Sequence, residues 1–185
     1  IGHSAGAQMA ALLGARPGLL AAGGTPPRAL RGVIALDAMG YDVPALADPA
    51  RRPMGEFSRA MYWNAFGTPA EEARRPGWRA ASPLAHADRG DPPFMMVVPD
   101  SVPRRIREAG EMARRLGQLP GHALWRVAMD HREINLLFGR RGDPGGQAGR
   151  AVAFARAVTD PGPAARPAVR GPRLVGTRSG TAVRA

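Results

Sequence analysis

Three short apolar runs punctuate the chain. They are Val33-Ile34-Ala35-Leu36, ended by Asp37; Phe94-Met95-Met96-Val97-Val98, closed by Pro99-Asp100; and Ala123-Leu124-Trp125-Arg126-Val127-Ala128, followed by Asp130-His131. Brief apolar runs between turn-forming residues have the form of strands buried on both faces of a parallel sheet. Between them lie stretches of helical character. Residues 5 to 15 are nearly all good helix formers, and Arg16-Pro17-Gly18 stops that run. Residues 103 to 118 predict an amphipathic helix, with Ile106, Ala109, Ala113 and Leu116 on one face and Arg104, Arg107, Glu111 and Arg115 mostly elsewhere. A last helix is expected from about Gln147 to Val158. Residues 40 to 93 are mixed, with Pro-rich turns, an aromatic segment (Phe57, Tyr62, Trp63, Phe66) and a further stop at Ser82-Pro83. Strands alternating with helices predict an α/β fold, a parallel sheet with flanking helices.

After Asp160 the pattern ends. Residues 161 to 185 hold five Arg, no acidic residue and many Pro, Gly and Ala, so the reading is one domain over 1–160 and a disordered basic tail over 161–185. The 26 basic residues, all of them Arg, against 15 acidic ones give a net charge of +11, of which the tail carries five. A pI near 11.7 raises the possibility of nucleic-acid binding. No RNP, zinc or helix-turn-helix signature accompanies the charge, and the expectation is no specific nucleic-acid partner. With no cysteine, disulfides and thiolate metal sites are excluded. No apolar run approaches the ~18 residues of a membrane span, and cytoplasmic is the default address. Leu, Val, Phe and Ile together make up 34 of 185 residues, with alanine supplying about as many again. A buried methyl contributes far less than a buried Leu, so this composition fits part of a fold better than a whole one.

The chemistry is concentrated at the start. Gly2-x-Ser4-x-Gly6 has the form of a nucleophile elbow: a serine on a sharp strand-to-helix turn takes a strained backbone, and glycine on both flanks avoids collisions with neighbouring elements. The helix that follows turns its free N–H groups toward the serine, and the Ala5 N–H is the candidate oxyanion donor. The rival reading is a Gly-rich turn with an idle serine.

The segment GHSAGAQMAALL resembles the elbow of bacterial α/β-hydrolase serine esterases, including the arylformamidase-like branch. GVIALDAMGYDVPAL, the FG and W…ASPLAH segments, PPFMMVV and DHREINLLFGRRGDP are similar to successive landmarks of that family, and together they cover roughly residues 1 to 158. The resemblance implies the C-terminal part of an α/β-hydrolase, with a triad in the chain order Ser, Asp, His. Ser4 is then the nucleophile, His131 the base on a loop past the last strand, and Asp100, just past the Phe94–Val98 strand, the acid. Asp37 also ends a strand, and some members of the family take the acid from there, so it stands as the alternative to Asp100. Asp130 adjoins His131 in sequence and is badly placed to bond its ring.

The implied activity is hydrolysis of a carboxylic ester through an acyl-enzyme on Ser4. An N-formyl arylamide is the narrower substrate, and an inactive hydrolase remnant the contrasting reading. The substrate is a small molecule, and no cofactor or metal is expected, since no His, Asp and Glu cluster has ligand spacing. His3 is assigned to elbow packing, and His86 and His122 to ordinary surface or supporting positions. Gly142, Gly145, Gly146 and Gly149 follow no phosphate-loop template. Trp63, Phe66 and Trp78 either cap an acyl pocket or pack helices. Since the motif begins at residue 2, the strands and the HGG-type oxyanion loop that precede an elbow in this family are expected upstream. Loss of one oxyanion donor costs ~10²–10³ in rate, and on that reading the isolated chain is expected to be inactive and poorly folded.

Overall fold

Each of the three predicted strands forms, and a fourth, very short one precedes Ser4. The computed structural model describes residues 1–51, 55–140, 143 and 146–160, with the side chains of Pro120 and His122 outside the described part; the predicted tail, 161–185, lies outside it altogether. The strands are β1 (Gly2–His3), β2 (Val33–Leu36), β3 (Phe94–Pro99) and β4 (Leu124–Val127). They lie side by side in chain order, all parallel, with Gly2 opposite Ala35, Ala35 opposite Met96 and Met96 opposite Leu124. The fold is α/β, as the alternation of runs predicts.

Helix α1 (Ala5–Ala15) follows β1, and α2 (Pro17–Ala22) follows directly. The stop at Pro17 is therefore a restart. Proline lacks the N–H that a first helical turn leaves unpaired anyway, so it opens a helix as readily as it closes one. Short helices α3 (Val43–Ala47), α4 (Glu56–Phe66) and α5 (Pro69–Arg74) occupy the mixed region, and Val43, Leu46, Tyr62 and Trp78 form its own small core.

Helix α6 (Pro103–Arg115) follows β3. It ends before residue 118 because Gly117 takes φ 67°, and the Gln118 N–H reaches back to the Ala113 carbonyl at 2.9 Å. A left-handed glycine closing a helix in this way satisfies its last carbonyls. A single-turn helix α7 (Pro120–Ala123) leads into β4, and α8 (His131–Leu137) and α9 (Gln147–Thr159) complete the chain.

All six residues of β3 are buried, because the strand is covered on both faces and flanked on both edges. Its alternate side chains divide the core. Phe94, Met96 and Val98 join Ala7, Ala11, Ala109 and Met112 of α1 and α6 on one face. Met95 and Val97 join Leu36, Ile134 and Ala151 on the other, under α8 and α9. The layers are helix, sheet, helix. Among the described residues no helix is long and apolar enough to cross a membrane.

Alanine makes this packing close. Ala7, Ala11 and Ala15 line the inner side of α1, and a Cβ added at Gly14 would stand 2.6 Å from Val33 Cγ2 and 2.7 Å from Phe94 Cζ. Gly14→Ala therefore exchanges a helix-propensity gain of about 1 kcal/mol for overpacking against two strands, which costs roughly 1–3 kcal/mol. The expected outcome is net destabilisation, read as a lower urea midpoint at unchanged slope; a raised midpoint would show that α1 has room to move.

Candidate active site

The C-terminal ends of β1 and β2 and the start of α8 meet at one edge of the sheet. Ser4 stands between β1 and α1 with φ 56° and ψ −119°, a conformation L-residues avoid. Non-glycine residues held so cost about 1–3 kcal/mol and persist only where their surroundings determine them. Here the Ser4 N–H donates to the Leu36 carbonyl (3.0 Å), and the Ser4 carbonyl accepts from Ala7 N–H (3.1 Å) and Gln8 N–H (3.2 Å). The residue is pinned by strand pairing on one side and the first helical turn on the other.

The two motif glycines are unequal. A Cβ on Gly2 would lie 2.2 Å from the Gly6 carbonyl oxygen and 2.8 Å from the Ala7 nitrogen, both backbone atoms. At Gly6 nothing among the described residues comes within 4 Å of such an atom. The expectation that both flanks require glycine thus holds at Gly2 and has no steric basis at Gly6.

His131 lies in the first turn of α8 rather than on a loop. Asp130 caps that helix: its Oδ1 accepts from Glu133 N–H (2.8 Å), and Glu133 Oε2 accepts from Asp130 N–H (2.8 Å). This reciprocal cap satisfies two otherwise unpaired amides and sets the direction of the His131 side chain. The ring then bridges two groups distant in sequence. Its Nε2 is 3.0 Å from Ser4 Oγ, and its Nδ1 is 2.6 Å from Asp37 Oδ2.

Asp37, not Asp100, meets the histidine. Asp37 is completely buried, has φ 48°, and continues the β2–β3 ladder through its N–H to the Val97 carbonyl (2.7 Å). A left-handed turn is tolerated by aspartate better than by most residues, and this one ends β2 directly beside the strand that delivers Ser4. Asp100 ends the next strand outward. Its N–H pairs with the Val127 carbonyl (2.9 Å) and the residue is exposed, while both ring nitrogens of His131 are occupied by Ser4 and Asp37. Of the two carboxylates considered from the sequence, the structure brings Asp37, the alternative, to the histidine, and leaves Asp100 apart from it.

Two further side chains frame the histidine. His3 Nε2–H donates to the His131 carbonyl (2.9 Å), and the two rings lie 4.4 Å apart. Burial is the largest influence on His3 and lowers its pKa, because it disfavours the charged ring. Arg105, two residues into α6, places Nη1 on Asp37 Oδ2, with Nη2 2.9 Å from Met39 Sδ. Nothing in the sequence pattern marks Arg105, since one arginine among many on a basic helix has no distinguishing spacing. His86 bonds the Ala80 carbonyl (3.2 Å); the His122 side chain is outside the described part.

A cavity of about 100 Å³ opens beside Ser4 and Ala5, walled by Met39, Met61, Tyr62 and Phe66. The aromatic segment therefore divides its duties. Phe66 and Tyr62 face this cavity, whereas Trp63 Nε1 donates to the Ala47 carbonyl (2.9 Å), joining α4 to α3, and Trp78 Nε1, from the turn after α5, donates to the Phe66 carbonyl (3.0 Å) at the end of α4. Among the described residues no group of three His, Asp or Glu side chains is gathered as a metal site would require.

The unequal glycines are directly testable. Gly2→Ala is expected to lose about 2 kcal/mol or more, because backbone must move to admit the methyl, whereas Gly6→Ala is expected to be neutral or to gain up to about 1 kcal/mol from helix propensity. Urea unfolding of both variants measures this, and equal losses would mean that Gly6 is also crowded.

Comparison of the chain with protein-family models, with curated proteins and with solved structures finds no match, so the site is defined by its own geometry: a strained serine, a histidine and a buried aspartate in hydrogen-bonded series.

Proposed function

We propose that this chain is a serine hydrolase that cleaves a carboxylic ester through an acyl-enzyme on Ser4, in the manner of the α/β-hydrolases its sequence resembles. The observation that carries the reading is the single imidazole of His131 joining Ser4 Oγ at 3.0 Å to the buried Asp37 carboxylate at 2.6 Å. A serine hydroxyl is a weak nucleophile until a base within hydrogen-bond reach takes its proton.

In this reading the Ser4 oxygen attacks the ester carbonyl carbon as its proton passes to His131 Nε2. A C–O bond forms, and the carbonyl π pair moves onto oxygen. Ala5 heads α1, where the first amides have no intrahelical partner, and its N–H donates to that oxyanion. Asp37 accepts the Nδ1–H hydrogen bond, holds the tautomer that leaves Nε2 free to receive a proton, and offsets the charge of the imidazolium. Collapse of the intermediate breaks the bond to the alcohol, which leaves with the proton from Nε2. Water then attacks the acyl-enzyme with His131 as base, releases the carboxylic acid and restores Ser4. The cavity of about 100 Å³ suits a short acyl group, the formyl of an N-formyl arylamide included.

Exposure to a fluorophosphonate probe should label the native chain once, at Ser4, and Ser4→Ala and His131→Gln should abolish the labelling. Asp37→Asn is expected to lower hydrolysis of p-nitrophenyl acetate by roughly 10³–10⁴-fold, while Asp100→Asn leaves it near the native rate. Loss of activity in Asp100→Asn with Asp37→Asn intact would reverse the assignment, and a folded native chain that neither labels nor turns over would replace the active-hydrolase reading with that of the inactive remnant. Running N-formylkynurenine beside the ester distinguishes the formamide from the ester substrate.

A further inference from the structure

We propose that Arg105 is a positioning residue for the Ser4–His131–Asp37 series, whose guanidinium shares the Asp37 oxygen bonded by His131, holds that carboxylate in place and sets a fixed positive charge against the ring. The inference rests on the hydrolase reading for its consequence in turnover, and on geometry alone for its effect on the ring.

An aspartate beside a histidine ordinarily favours the charged ring, because the carboxylate attracts the added proton. Here that carboxylate is already partnered by a permanent cation. Arg105 Nη1 contacts Asp37 Oδ2, the same oxygen that faces His131 Nδ1, and the Arg105 side chain is 12% exposed against 0% for Asp37. Arg105 Nη1 also stands 3.3 Å from His131 Nδ1. With Nδ1–H donating to Asp37, that nitrogen has no lone pair for Arg105 to bond, so the contact places a full positive charge beside the site where imidazolium charge would appear. Attraction by Asp37 and repulsion by Arg105 act on the ring from nearly the same direction, and the pair presents it with little net charge. A guanidinium keeps its charge throughout the working pH range and cannot relieve the contact by losing a proton.

The other charged and titratable groups around the ring come from separate elements. His3, on β1, stacks on it, and burial lowers its pKa. Tyr41, in the segment after β2, is wholly buried, and burial, with Asp37 and Glu108 adding to it, raises its pKa, so it stays protonated. On α6, Arg104 and Glu108 pair with each other (2.5 Å). On α8 and its cap, Glu133 and Asp130 are engaged in the reciprocal cap, and Arg132 is exposed. Asp100, after β3, is exposed. Among these groups Arg105 is the cation seated on the Asp37 oxygen that faces the ring, so a variant at this position tests that contact.

The same contact fixes the carboxylate. Asp37 Oδ1 is buried with no hydrogen-bond partner among the described residues, so its orientation depends on what Oδ2 receives. Arg105 reaches it from α6 and His131 from α8. Removing Arg105 leaves the carboxylate attached through the imidazole alone, which strengthens its pull on the ring proton.

The test is ¹³C and ¹⁵N NMR of the His131 ring against pH, on the full chain and on Arg105→Gln and Arg105→Lys. Ring protonation is expected to move to higher pH in Arg105→Gln, where the neighbouring cation is gone, and to stay near the native midpoint in Arg105→Lys, which restores a cation. The acid limb of kcat/KM for p-nitrophenyl acetate should move with it. An unchanged or lowered midpoint in Arg105→Gln overturns the proposal. If Arg105→Gln does not fold, the native chain still decides: a guanidinium held on Asp37 gives separate, slowly exchanging Nη1 and Nη2 signals, and averaged signals overturn it. The ring titration needs no turnover. A chain that fails to label at Ser4 yet shows the shift replaces the active-hydrolase reading with that of the inactive remnant and leaves the effect of Arg105 standing.

Discussion

A carboxylate taken completely out of water costs several kcal/mol unless charged or hydrogen-bonding partners come with it, and Asp37 is such a carboxylate. The architecture of the site follows from how that cost is offset. Two donors converge on one of its oxygens, Arg105 from α6 and His131 from α8. Those helices lie on opposite faces of the sheet: α6 packs with Ala7, Ala11 and Met96, and α8 with Leu36, Met95 and Val97. A single buried group at the end of β2 therefore ties both helical layers to the sheet edge, and the base of the proposed reaction is one of the ties.

Strain at Ser4 is held in the same economical way. Its positive φ is maintained by the strand pair below and the helical turn above, and Gly2 is the residue that lets those two backbones approach. The serine hydroxyl is delivered by the first strand, the carboxylate by its direct neighbour, and the imidazole by the helix after the last strand. Parallel order makes this possible, since every strand then presents its C-terminal end on one edge.

The core explains how so few large aliphatic residues suffice. Small side chains on α1 bring that helix so close that no Cβ fits at Gly14 beside Val33 and Phe94, and methionines at positions 96 and 112 fill the remaining space on that face. Close approach, rather than bulky side chains, closes the layer on that face; unbranched methionine adapts to irregular gaps.

Local pattern settled the fold class, because a strand buried on both faces leaves a short continuous apolar run, and a helix a stretch of good helix formers or an apolar face, each readable without its partner. The runs at Val33–Leu36 and Phe94–Val98 and the helix from residue 5 to residue 15 all carried such a trace, and the glycine-flanked Ser4 was legible as a motif. The D-x-x-E cap that ends the coil before His131 was equally present in the letters at 130 and 133, though its effect, helix rather than loop, appears only once the chain is folded. Tertiary structure alone brings Asp37, and not Asp100, against His131. Both end a strand in front of a turn, and they differ only in which strand lies beside Ser4 and in the positive φ that turns Asp37 inward. Arg105 belongs to the same class. Its partner is 68 residues away, and a charge on a basic helix becomes singular only when a distant carboxylate is buried against it. Sequence periodicity records burial along one element, whereas the pairing of charges between elements is decided by strand order and register, which no local stretch of the chain encodes.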